Sequence, residues 1–476
     1  MTISPFDPAD IIARPGPRYR AIADALRDAI RSGTAAPGMK LPPVRDLAYA
    51  LGVTVGTVSR AYALSASRGE VVGEVGRGTY VLDRSGLARG GAGVGSTTYL
   101  TPPDASEAAM KAAYPPSVGQ DEIMSAALYA LLAERGRESG PSLFNSYPPP
   151  GGTLRDRQAA AAWLAHEHFT PTADDVFVCS GVQQAILTAI LTATRPGDVI
   201  ITEAITYHAM VNQAVLTGRR VMPVDMDEEG VLPAALERLA QETNPAALFL
   251  VPTLHNPTSA IMSEERRQQI ADIARAHDIT IIEDDIYGKL VANRPLPLAY
   301  LAPDQTWYLT SLAKTVGCGL RIGFLLPPPS TRERARAVLN AQGQTAPRVM
   351  MDLATRLIEN GSAESLRADI VAEIERRHDI TARLLADHPV ETHPASLYAW
   401  LELPENWRAT AFVDAAQQRG VAIAAGEDFM VGRTDRASRH VRLAIGQPRD
   451  CDELQRGLEI VSALLSESHI QLAAPA

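Results

Sequence analysis

The sequence of 476 residues is poor in cysteine, and none of its three cysteines lies near another. Cys179, Cys318 and Cys451 form no CxxC pair, which argues against disulfide bonds and a zinc site and favours a reducing compartment. The ten histidines show no spacing typical of metal ligation or of a catalytic triad. We therefore predict that the protein holds no metal ion.

The sequence also lacks any uninterrupted apolar run of the length that spans a membrane, about 20 residues. Residues 1–12 contain Asp7 and Asp10 but no lysine or arginine, so they do not resemble a secretory signal peptide. With 46% hydrophobic and 21% charged residues, the composition is that of a soluble globular protein of two or three domains. These features predict a cytoplasmic protein without a membrane partner.

Positive charge is scarce in the whole chain, whose net charge is −10, but it is unevenly distributed. Residues 1–90 carry twelve Lys and Arg against eight Asp and Glu, a net charge of +4, so the remaining residues carry −14. A basic head on an acidic body indicates that only the head contacts nucleic acid.

Apolar residues at helical spacing predict three helices in the head, residues 1–83. The first covers residues 18–31, the second residues 44–51 and the third residues 54–67. Two short β-branched runs follow, at residues 71–72 and 79–82, with a glycine-containing turn between them that predicts a β-hairpin. Helix, helix, short turn, helix and hairpin is the order of a winged helix-turn-helix.

The exact residues of these segments indicate a family more specifically than the helical periodicity does. Residues 37–48 read PGMKLPPVRDLA, residues 51–62 read LGVTVGTVSRAY and residues 76–81 read GRGTYV. This pattern resembles the DNA-binding head of the GntR family of bacterial regulators. The resemblance implies that residues 54–62 enter the major groove of double-stranded operator DNA. The DNA contacts that it implies are Arg45, Thr54, Thr57, Arg60 and, on the wing, Arg77.

Two residues of the head depart from that family pattern. Pro43 stands where serine is common and Val55 where arginine is common, and each removes an expected phosphate contact. We therefore expect DNA affinity to be weaker, or more dependent on dimerisation, than in typical members. The competing interpretation is a small helical domain whose arginines contact only water.

A glycine-rich stretch separates the head from the rest of the chain. Residues 84–96 read RSGLARGGAGVGS, which has neither helical nor strand periodicity, and paired prolines follow at 102–103 and 115–116. We predict a flexible linker over residues 84–120, followed by a body over residues 121–470.

Apolar runs alternate with helical patterns along the body. Continuous apolar strands separated by helices predict an α/β fold with a mostly parallel sheet that is covered on both faces. Ligands bind such sheets at the carboxyl ends of the strands, so polar residues directly after strands are the candidates for function. The predicted strands are residues 176–179, 198–202, 220–224, 247–251, 280–283, 307–310 and 322–326.

One stretch of the body offers the groups for Schiff-base chemistry. Residues 311–321 read SLAKTVGCGLR, with Ser311 three residues before Lys314 and Arg321 seven residues after it. An amine that loses its proton forms a Schiff base with an aldehyde, and a hydroxyl with a guanidinium can hold a phosphate. Pyridoxal phosphate carries both an aldehyde and a phosphate. Taken alone, the stretch is equally compatible with an ordinary surface lysine after a strand.

The residues that follow the other strands resemble, in order and spacing, a class I aminotransferase domain of fold type I. That resemblance covers most of the body and implies a large domain, a smaller C-terminal α/β subdomain and pyridoxal 5′-phosphate as cofactor. It assigns Lys314 to the Schiff base, Asp284 to the pyridine nitrogen and Arg442 to the carboxylate of an amino-acid effector.

The same resemblance implies further contacts to the cofactor. Asn256 and Tyr287 correspond to donors to its phenolate oxygen, Tyr207 to the aromatic ring stacked on it, and Tyr147 to a tyrosine often given to the neighbouring subunit. The residues that correspond to the phosphate site are Gly181, Val182, Gln183, Ser311 and Arg321.

A GntR-like head joined to an aminotransferase-like body resembles the MocR subfamily of transcriptional regulators. The first hypothesis is a regulator that binds DNA and senses an amino compound, or pyridoxal phosphate itself, through a Schiff base on Lys314. The resemblance implies a homodimer in which the head of one chain packs on the body of the other. The second hypothesis is a catalytically active aminotransferase with an accessory head. The third hypothesis is a DNA-binding repressor whose body serves only for dimerisation. It does not explain why Lys314, Asp284 and Arg321 are all present.

Overall fold

The computed structural model covers a chain that divides into two compact units, Met1–Val94 and Gly95–Ala476. Each unit has its own apolar core, so each is described by itself. The residues that the structure describes are Ile11, Arg14 and the ranges 16–32, 34–36, 39–67, 71–74, 78–81, 108–135, 144–343, 345–432 and 437–467.

The head contains the three predicted helices, α1 (Arg18–Arg31), α2 (Val44–Ala50) and α3 (Val55–Ser67). The buried faces of the three helices enclose one core, as the four-residue spacing of their apolar side chains requires. Gly52, at a φ of +61°, forms the turn that ends α2. The predicted helix order is therefore confirmed.

A β-hairpin completes the head and is tied to the helices. Its strands, β1 (Val71–Glu74) and β2 (Gly78–Val81), pair antiparallel, with Val71 opposite Val81. The Val81 N–H donates to the Met39 carbonyl at 2.9 Å, so the segment before α2 extends the hairpin. The Tyr62 hydroxyl of α3 donates to the Pro42 carbonyl at 2.9 Å, which connects α3 to the start of α2. These contacts confirm the winged helix-turn-helix.

Part of the predicted linker belongs to the body. Strand β3 (Ala108–Ala109) pairs in parallel with β15 (Val421–Ala422), and the Met110 N–H donates to the Ala422 carbonyl at 2.8 Å. The body therefore begins before residue 121. Residues 84–107, the rest of the predicted linker, lie outside the described residues, as does Arg77 of the wing.

The body alternates strands with helices along its first half and adds long helices and a second sheet along its second half. Its helices are α4 (Gln120–Arg135), α5 (Leu154–Leu164), α6 (Val182–Ala193), α7 (His208–Leu216), α8 (Pro233–Thr243), α9 (Glu264–Ala276), α10 (Leu298–Leu301), α11 (Arg332–Ala341), α12 (Arg348–Glu359), α13 (Ser362–Leu384), α14 (Ala409–Gln418) and α15 (Cys451–Ser466). Its other strands are β4 (Phe177–Cys179), β5 (Val199–Glu203), β6 (Arg220–Val224), β7 (Met226–Asp227), β8 (Gly230–Val231), β9 (Ala247–Leu250), β10 (Thr280–Asp284), β11 (Thr306–Ser311), β12 (Gly323–Leu326), β13 (Val390–Glu391), β14 (Ala399–Glu402), β16 (Ala424–Ala425) and β17 (His440–Leu443).

The large sheet has seven strands in the order β4-β12-β11-β10-β9-β5-β6. The pairs from β6 to β11 are parallel, while β12 is antiparallel to both of its neighbours. Apolar clusters cover both faces, which confirms the predicted mostly parallel, two-sided sheet. Strand β12 is the exception because only a short turn connects it to β11, and a parallel return needs a longer crossover.

A smaller C-terminal subdomain packs around a second sheet. Four strands in the order β13-β14-β17-β16 pair antiparallel, and α14 and α15 contribute to its apolar core. This subdomain was also predicted, and its strand β17 carries Arg442. Among the residues that the structure describes, no helix is both long and apolar enough to cross a membrane.

Gly323 at the start of β12 brings two backbone segments into close contact. A Cβ atom at this position would lie 2.5 Å from the Gly181 carbonyl carbon and 2.8 Å from the Val182 nitrogen. Because both neighbours are backbone atoms at the start of α6, they cannot move aside as a flexible side chain would. The close packing of β12 on the start of α6 therefore requires glycine.

We predict that Gly323→Ala destabilises the body by about 1–3 kcal/mol, the usual cost of overpacking. The measurement is the thermal unfolding transition of the full chain by circular dichroism. Gly319→Ala is the matched control, since a Cβ there has nothing within 4 Å. Equal transitions for both variants would contradict the close packing of β12 on α6.

Candidate functional site

The carboxyl ends of neighbouring strands bring the predicted polar residues to one edge of the large sheet. Asp284 ends β10 and Ser311 ends β11, and these two strands pair directly, with Asp284 opposite Leu309. Lys314 follows three residues after Ser311, in a turn closed by the Val316 N–H on the Leu312 carbonyl at 2.9 Å. The amine and the carboxylate thus come from adjacent strands, as the predicted sheet requires.

Lys314 carries an amine that is held away from water. Its Nζ donates to the Ala113 carbonyl at 2.5 Å and lies 5.9 Å from the centre of the Tyr287 ring. Burial lowers the pKa of Lys314 to about 8, and the nearby cations of Arg442 and Arg321 act in the same direction. A larger fraction of this amine than of a free lysine is therefore unprotonated near neutral pH, and the unprotonated form is the nucleophile.

Asp284 is a buried carboxylate that, among the described residues, has no cationic partner in hydrogen-bond contact. Its Oδ1 accepts the N–H of Ile286 at 3.3 Å. Burial raises the pKa of Asp284 to about 7, and the charge of Lys314 lowers it only in part. A cationic N–H donor placed at this carboxylate would relieve the cost of its burial.

The neighbouring Asp285 has a different, structural role. Its Oδ2 accepts from Arg294 at 2.7 Å and from the Tyr308 hydroxyl at 2.6 Å. Its charge is therefore already compensated inside the protein. Of two consecutive aspartates, the structure leaves Asp284 as the one available to a ligand.

Arg442 and Asn256 meet on the subdomain side of the site. Arg442 Nη1 donates to Asn256 Oδ1 at 2.7 Å, and Nη2 donates to the Lys111 carbonyl at 2.5 Å. The guanidinium lies 4.6 Å from the centre of the Phe429 ring and 5.5 Å from that of Tyr398. Its Nε is buried and has no hydrogen-bond partner in the described part of the chain. A fixed, largely desolvated guanidinium of this kind suits a carboxylate ligand.

Aromatic side chains line the space between these groups. The Tyr207 hydroxyl accepts from Gln183 Nε2 at 2.9 Å. Tyr287 is buried and packs edge-on against Tyr398, with ring centres 5.6 Å apart. The Tyr398 hydroxyl donates to the Leu254 carbonyl at 2.5 Å, so Tyr398 positions Tyr287.

The start of α6 and the end of the Lys314 turn form a small cradle. Gly181 precedes α6 with a φ of +78°, and a Cβ there would lie 3.2 Å from Arg321 Nη2. Arg321 is itself left-handed, with a φ of +53°. The first turn of α6 begins at Val182, so its free N–H groups point toward the same place as the guanidinium. An open groove of about 410 Å³ leads to it, lined by Ser180, Gln183, Gln184, Leu187, Gln213, Arg321 and Gln342.

Two hydroxyls next to Lys314 in the chain differ in their partners. Ser311 Oγ is buried and accepts the Ala313 N–H at 3.2 Å. Thr315 Oγ1 is buried and has no hydrogen-bond partner among the residues that the structure describes, although the sequence analysis did not single Thr315 out. Its place directly after Lys314 is the signal that would have identified it.

Tyr147 is not brought to this site within the chain. Tyr147 is 88% exposed, and the nearby Phe144 is 81% exposed. Its contact to the neighbouring subunit therefore stays a prediction. No group of His, Cys, Asp and Glu able to hold a metal ion occurs in the part of the chain that the structure describes.

In the head, the predicted DNA contacts lie on α2 and α3. Arg45 and Arg60 are exposed and, within the described ranges, have no salt bridge. Thr54 Oγ1 accepts the Thr57 N–H at 3.3 Å and lies 2.9 Å from Thr57 Oγ1, so this pair caps α3. The two arginines are therefore available for a ligand, while the two threonines also stabilise the helix.

Both parts of the chain match known families. Residues 111–458 match the family of aminotransferase class I and II, and residues 18–81 match the bacterial regulatory proteins of the gntR family. Among solved structures, the α-aminoadipate aminotransferase LysN of Thermus thermophilus superposes with a TM-score of 0.68. It is 21% identical and covers 76% of this chain and 92% of its own.

Two relatives match over almost the whole chain, head included. The uncharacterized HTH-type transcriptional regulator YdeF of Bacillus subtilis is 30% identical over 456 residues, 95% of each chain. The vitamin B6 salvage pathway transcriptional repressor PtsJ of Salmonella typhimurium is 26% identical, over 87% of this chain and 92% of its own.

We predict that Lys314 reacts with acetic anhydride half-maximally near pH 8, rather than near the pH of about 10.4 typical of free lysine. The protein is first dialysed against hydroxylamine, which removes any aldehyde from the amine, and acetylation is followed by peptide mass spectrometry. Asp284→Asn should shift the midpoint to lower pH, because the carboxylate favours the ammonium form. A midpoint near pH 10 in the unsubstituted protein would contradict the burial of this amine.

Proposed function

Because this chain belongs to the aminotransferase class I and II family and carries a gntR-family regulatory domain, we propose that it is a pyridoxal phosphate-dependent transcriptional regulator. The observation that carries the proposal is the pair formed by Lys314 and Asp284 at adjacent strand ends of a chain whose head is a winged helix-turn-helix. In this proposal the head binds operator DNA and the body senses an amino compound. A protein that regulates genes in this way works in the cytoplasm, where the DNA is.

The residues of the site fit pyridoxal phosphate. Gly181 leaves room beside Arg321 that a Cβ would fill, and the start of α6 offers free N–H groups, so a phosphate can bind there. Thr315 Oγ1 is a buried hydroxyl still without a partner. Asp284 lies where a cationic ring nitrogen would compensate it. We propose Gly181, Val182, Gln183, Tyr207, Asn256, Tyr287, Ser311 and Arg321 as further contacts.

When bound, pyridoxal phosphate supplies an electrophilic aldehyde carbon and a ring that accepts electrons. Lys314 Nζ would be the amine that reacts with that carbon. Its lowered pKa makes the neutral amine available without a separate base. Asp284 would hold a proton on the ring nitrogen, because a positive partner offsets the cost of burying a carboxylate.

Arg442 determines which amino compounds can act as effector. Its guanidinium is buried between the Tyr398 and Phe429 rings and retains an unpaired Nε. We propose that it binds the carboxylate of the effector, whose amino group would exchange with the amine of Lys314 when the cofactor is present. This exchange regulates DNA binding only if the effector binds one conformation of the protein better than another.

The head binds DNA through its exposed cations. We propose that α3 enters the major groove, that Arg45, Thr54, Thr57 and Arg60 contact DNA, and that Arg77 of the wing does so too. The functional unit is a head-to-tail homodimer, in which Tyr147 contributes to the phosphate site of the partner. The 88% exposure of Tyr147 supports this assignment, since a tyrosine so exposed has its ring free for a second subunit.

A catalytically active aminotransferase with an accessory head is the second candidate. The observation that favours it is the complete set of site residues in a body that superposes on an aminotransferase at a TM-score of 0.68. The presence of the head favours regulation, because a metabolic enzyme has no use for operator binding. A pure DNA-binding repressor with an inert body leaves the unpaired Arg442 Nε and Thr315 Oγ1 unexplained.

We predict that Lys314→Ala abolishes the visible absorption of the protein reconstituted with pyridoxal phosphate, because the covalent bond to the aldehyde is lost. The measurement is the absorption spectrum after gel filtration. Lys289→Ala is the matched control: Lys289 is also a largely buried lysine whose pKa is lowered by burial, and it lies 4.5 Å from the Trp163 ring. An unchanged band in Lys314→Ala would exclude the assignment of this lysine.

We predict that the double variant Arg45→Ala/Arg60→Ala binds the upstream region of its own gene at least about ten-fold more weakly. Each lost phosphate contact should also reduce the slope of log affinity against log salt by about 0.9. The measurement is fluorescence anisotropy at several salt concentrations. Arg238→Ala, an exposed arginine of the body, is the control and should change neither value. Undiminished binding by the double variant would place the DNA contacts elsewhere.

The two candidate functions differ in what an amino compound does. We predict that, among the standard amino acids and their decarboxylated amines, some amino acids shift the visible spectrum and change DNA affinity, whereas the amines lacking a carboxylate do not. Absorption and anisotropy are recorded on the same samples, with Arg442→Lys as the variant that keeps the charge but loses the fork. Sustained amino-group transfer to 2-oxo acids without any change in DNA affinity would favour the enzyme.

A further inference from the structure

The N-terminal turn of α3 presents an apolar side chain to solvent where a base-reading residue is expected. Val55 is the first residue of α3, and 49% of its surface is exposed. Val55 is not part of the apolar core of the head; Val58, three residues later, is the valine of α3 that packs into it. A single half-exposed valine is common on protein surfaces. Only its position in the fold can therefore indicate a function.

The first turn of α3 is open at Val55. Gly56 follows it, and a Cβ there would meet only Thr54 Oγ1, at 3.9 Å. No acidic residue occurs in α3, and Arg60 lies exposed five residues after Val55. The positive end of the helix dipole and an unobstructed backbone therefore allow a polyanion to approach this turn closely.

The other large exposed apolar side chain of the described head lies on the same functional surface. Tyr49 of α2 is 93% exposed and stands four residues after Arg45, so the two share one helix face. In a helix-turn-helix the first helix crosses the DNA backbone, while N-terminal residues of the second contact base edges. Both exposed apolar residues are thus located on elements that face the duplex.

The chemistry of a valine restricts what it can read in the major groove. It has no donor or acceptor, so it can form neither the phosphate contact expected of an arginine here nor the paired hydrogen bonds by which a guanidinium recognises guanine O6 and N7. The one apolar group that base pairs present in this groove is the C5 methyl of thymine. Cytosine offers an amino donor and no methyl at the equivalent edge. A valine at the first position of α3 therefore distinguishes thymine from the other bases by apolar contact.

We propose that Val55 is a specificity-determining residue that recognises the methyl group of a thymine in each operator half-site. The inference rests on the proposed DNA-binding function and adds the base and the group that are read. Gly56 is part of the same arrangement, because the absence of a side chain there lets the Val55 methyls reach the floor of the groove.

The test uses the full-length chain and a duplex that it selects from a random-sequence pool. Each thymine of the selected site is replaced singly by deoxyuridine, which removes only the C5 methyl group. For the unsubstituted chain we expect at least one thymine per half-site whose replacement weakens binding about four-fold, the value of burying one methyl-sized group. Val55→Ala should bind the thymine and deoxyuridine duplexes equally at that position.

Two further variants make the result specific. Leu216→Ala removes a large exposed apolar side chain from the body and should keep the full four-fold loss. Val55→Arg should select guanine in place of thymine at the same position when the random pool is applied again. Thermal unfolding of each variant verifies that its head is folded, which the exposure of Val55 leads us to expect.

Three results would overturn the inference. If no thymine shows a methyl effect, or if Val55→Ala keeps the same loss at the same thymine, Val55 does not recognise that group even though the protein binds DNA. If the unsubstituted chain selects no duplex, the proposed DNA-binding function fails, and the inference fails with it.

Discussion

An amine and a carboxylate are held out of water at the ends of two paired strands, and most other features of the body follow from this constraint. Burial lowers the pKa of Lys314 to about 8 and raises that of Asp284 to about 7. Both groups therefore change charge close to neutral pH. A protein tolerates such a pair only where a ligand or a neighbour compensates it. The paired strands β10 and β11 bring the two groups together, and the close packing at Gly323 fixes the backbone of Gly181 and Val182 at the start of α6.

Regulation adds a thermodynamic condition to this chemistry. If an effector at Arg442 changes the affinity of the head for DNA by some factor, then DNA changes the affinity of the body for that effector by the same factor. The coupling does not require a large free energy, since about 1–3 kcal/mol corresponds to roughly a 5–150-fold effect.

Much of the fold was accessible from the sequence because its signals are local. Apolar runs located the strands of the large sheet to within one or two residues, and Asp284 and Lys314 were identified because they lie at strand ends. The antiparallel direction of β12 was not predicted, since direction depends on the connection and not on composition. Arg442 and Asn256 are 186 residues apart, so only the family resemblance, and no periodicity, could join them. Tyr398 was missed because its role is to position Tyr287.

The contacts at residues 111 and 113 do not depend on which side chains stand there. Lys314 donates to the Ala113 carbonyl and Arg442 to the Lys111 carbonyl, so both site cations are held by main-chain oxygens. Every residue type carries that oxygen, and substitutions at either position preserve both contacts as long as the path of the chain is kept. The residue types at these two positions can therefore differ among relatives while the contacts to Lys314 and Arg442 are kept. Low sequence similarity there would say nothing against its importance.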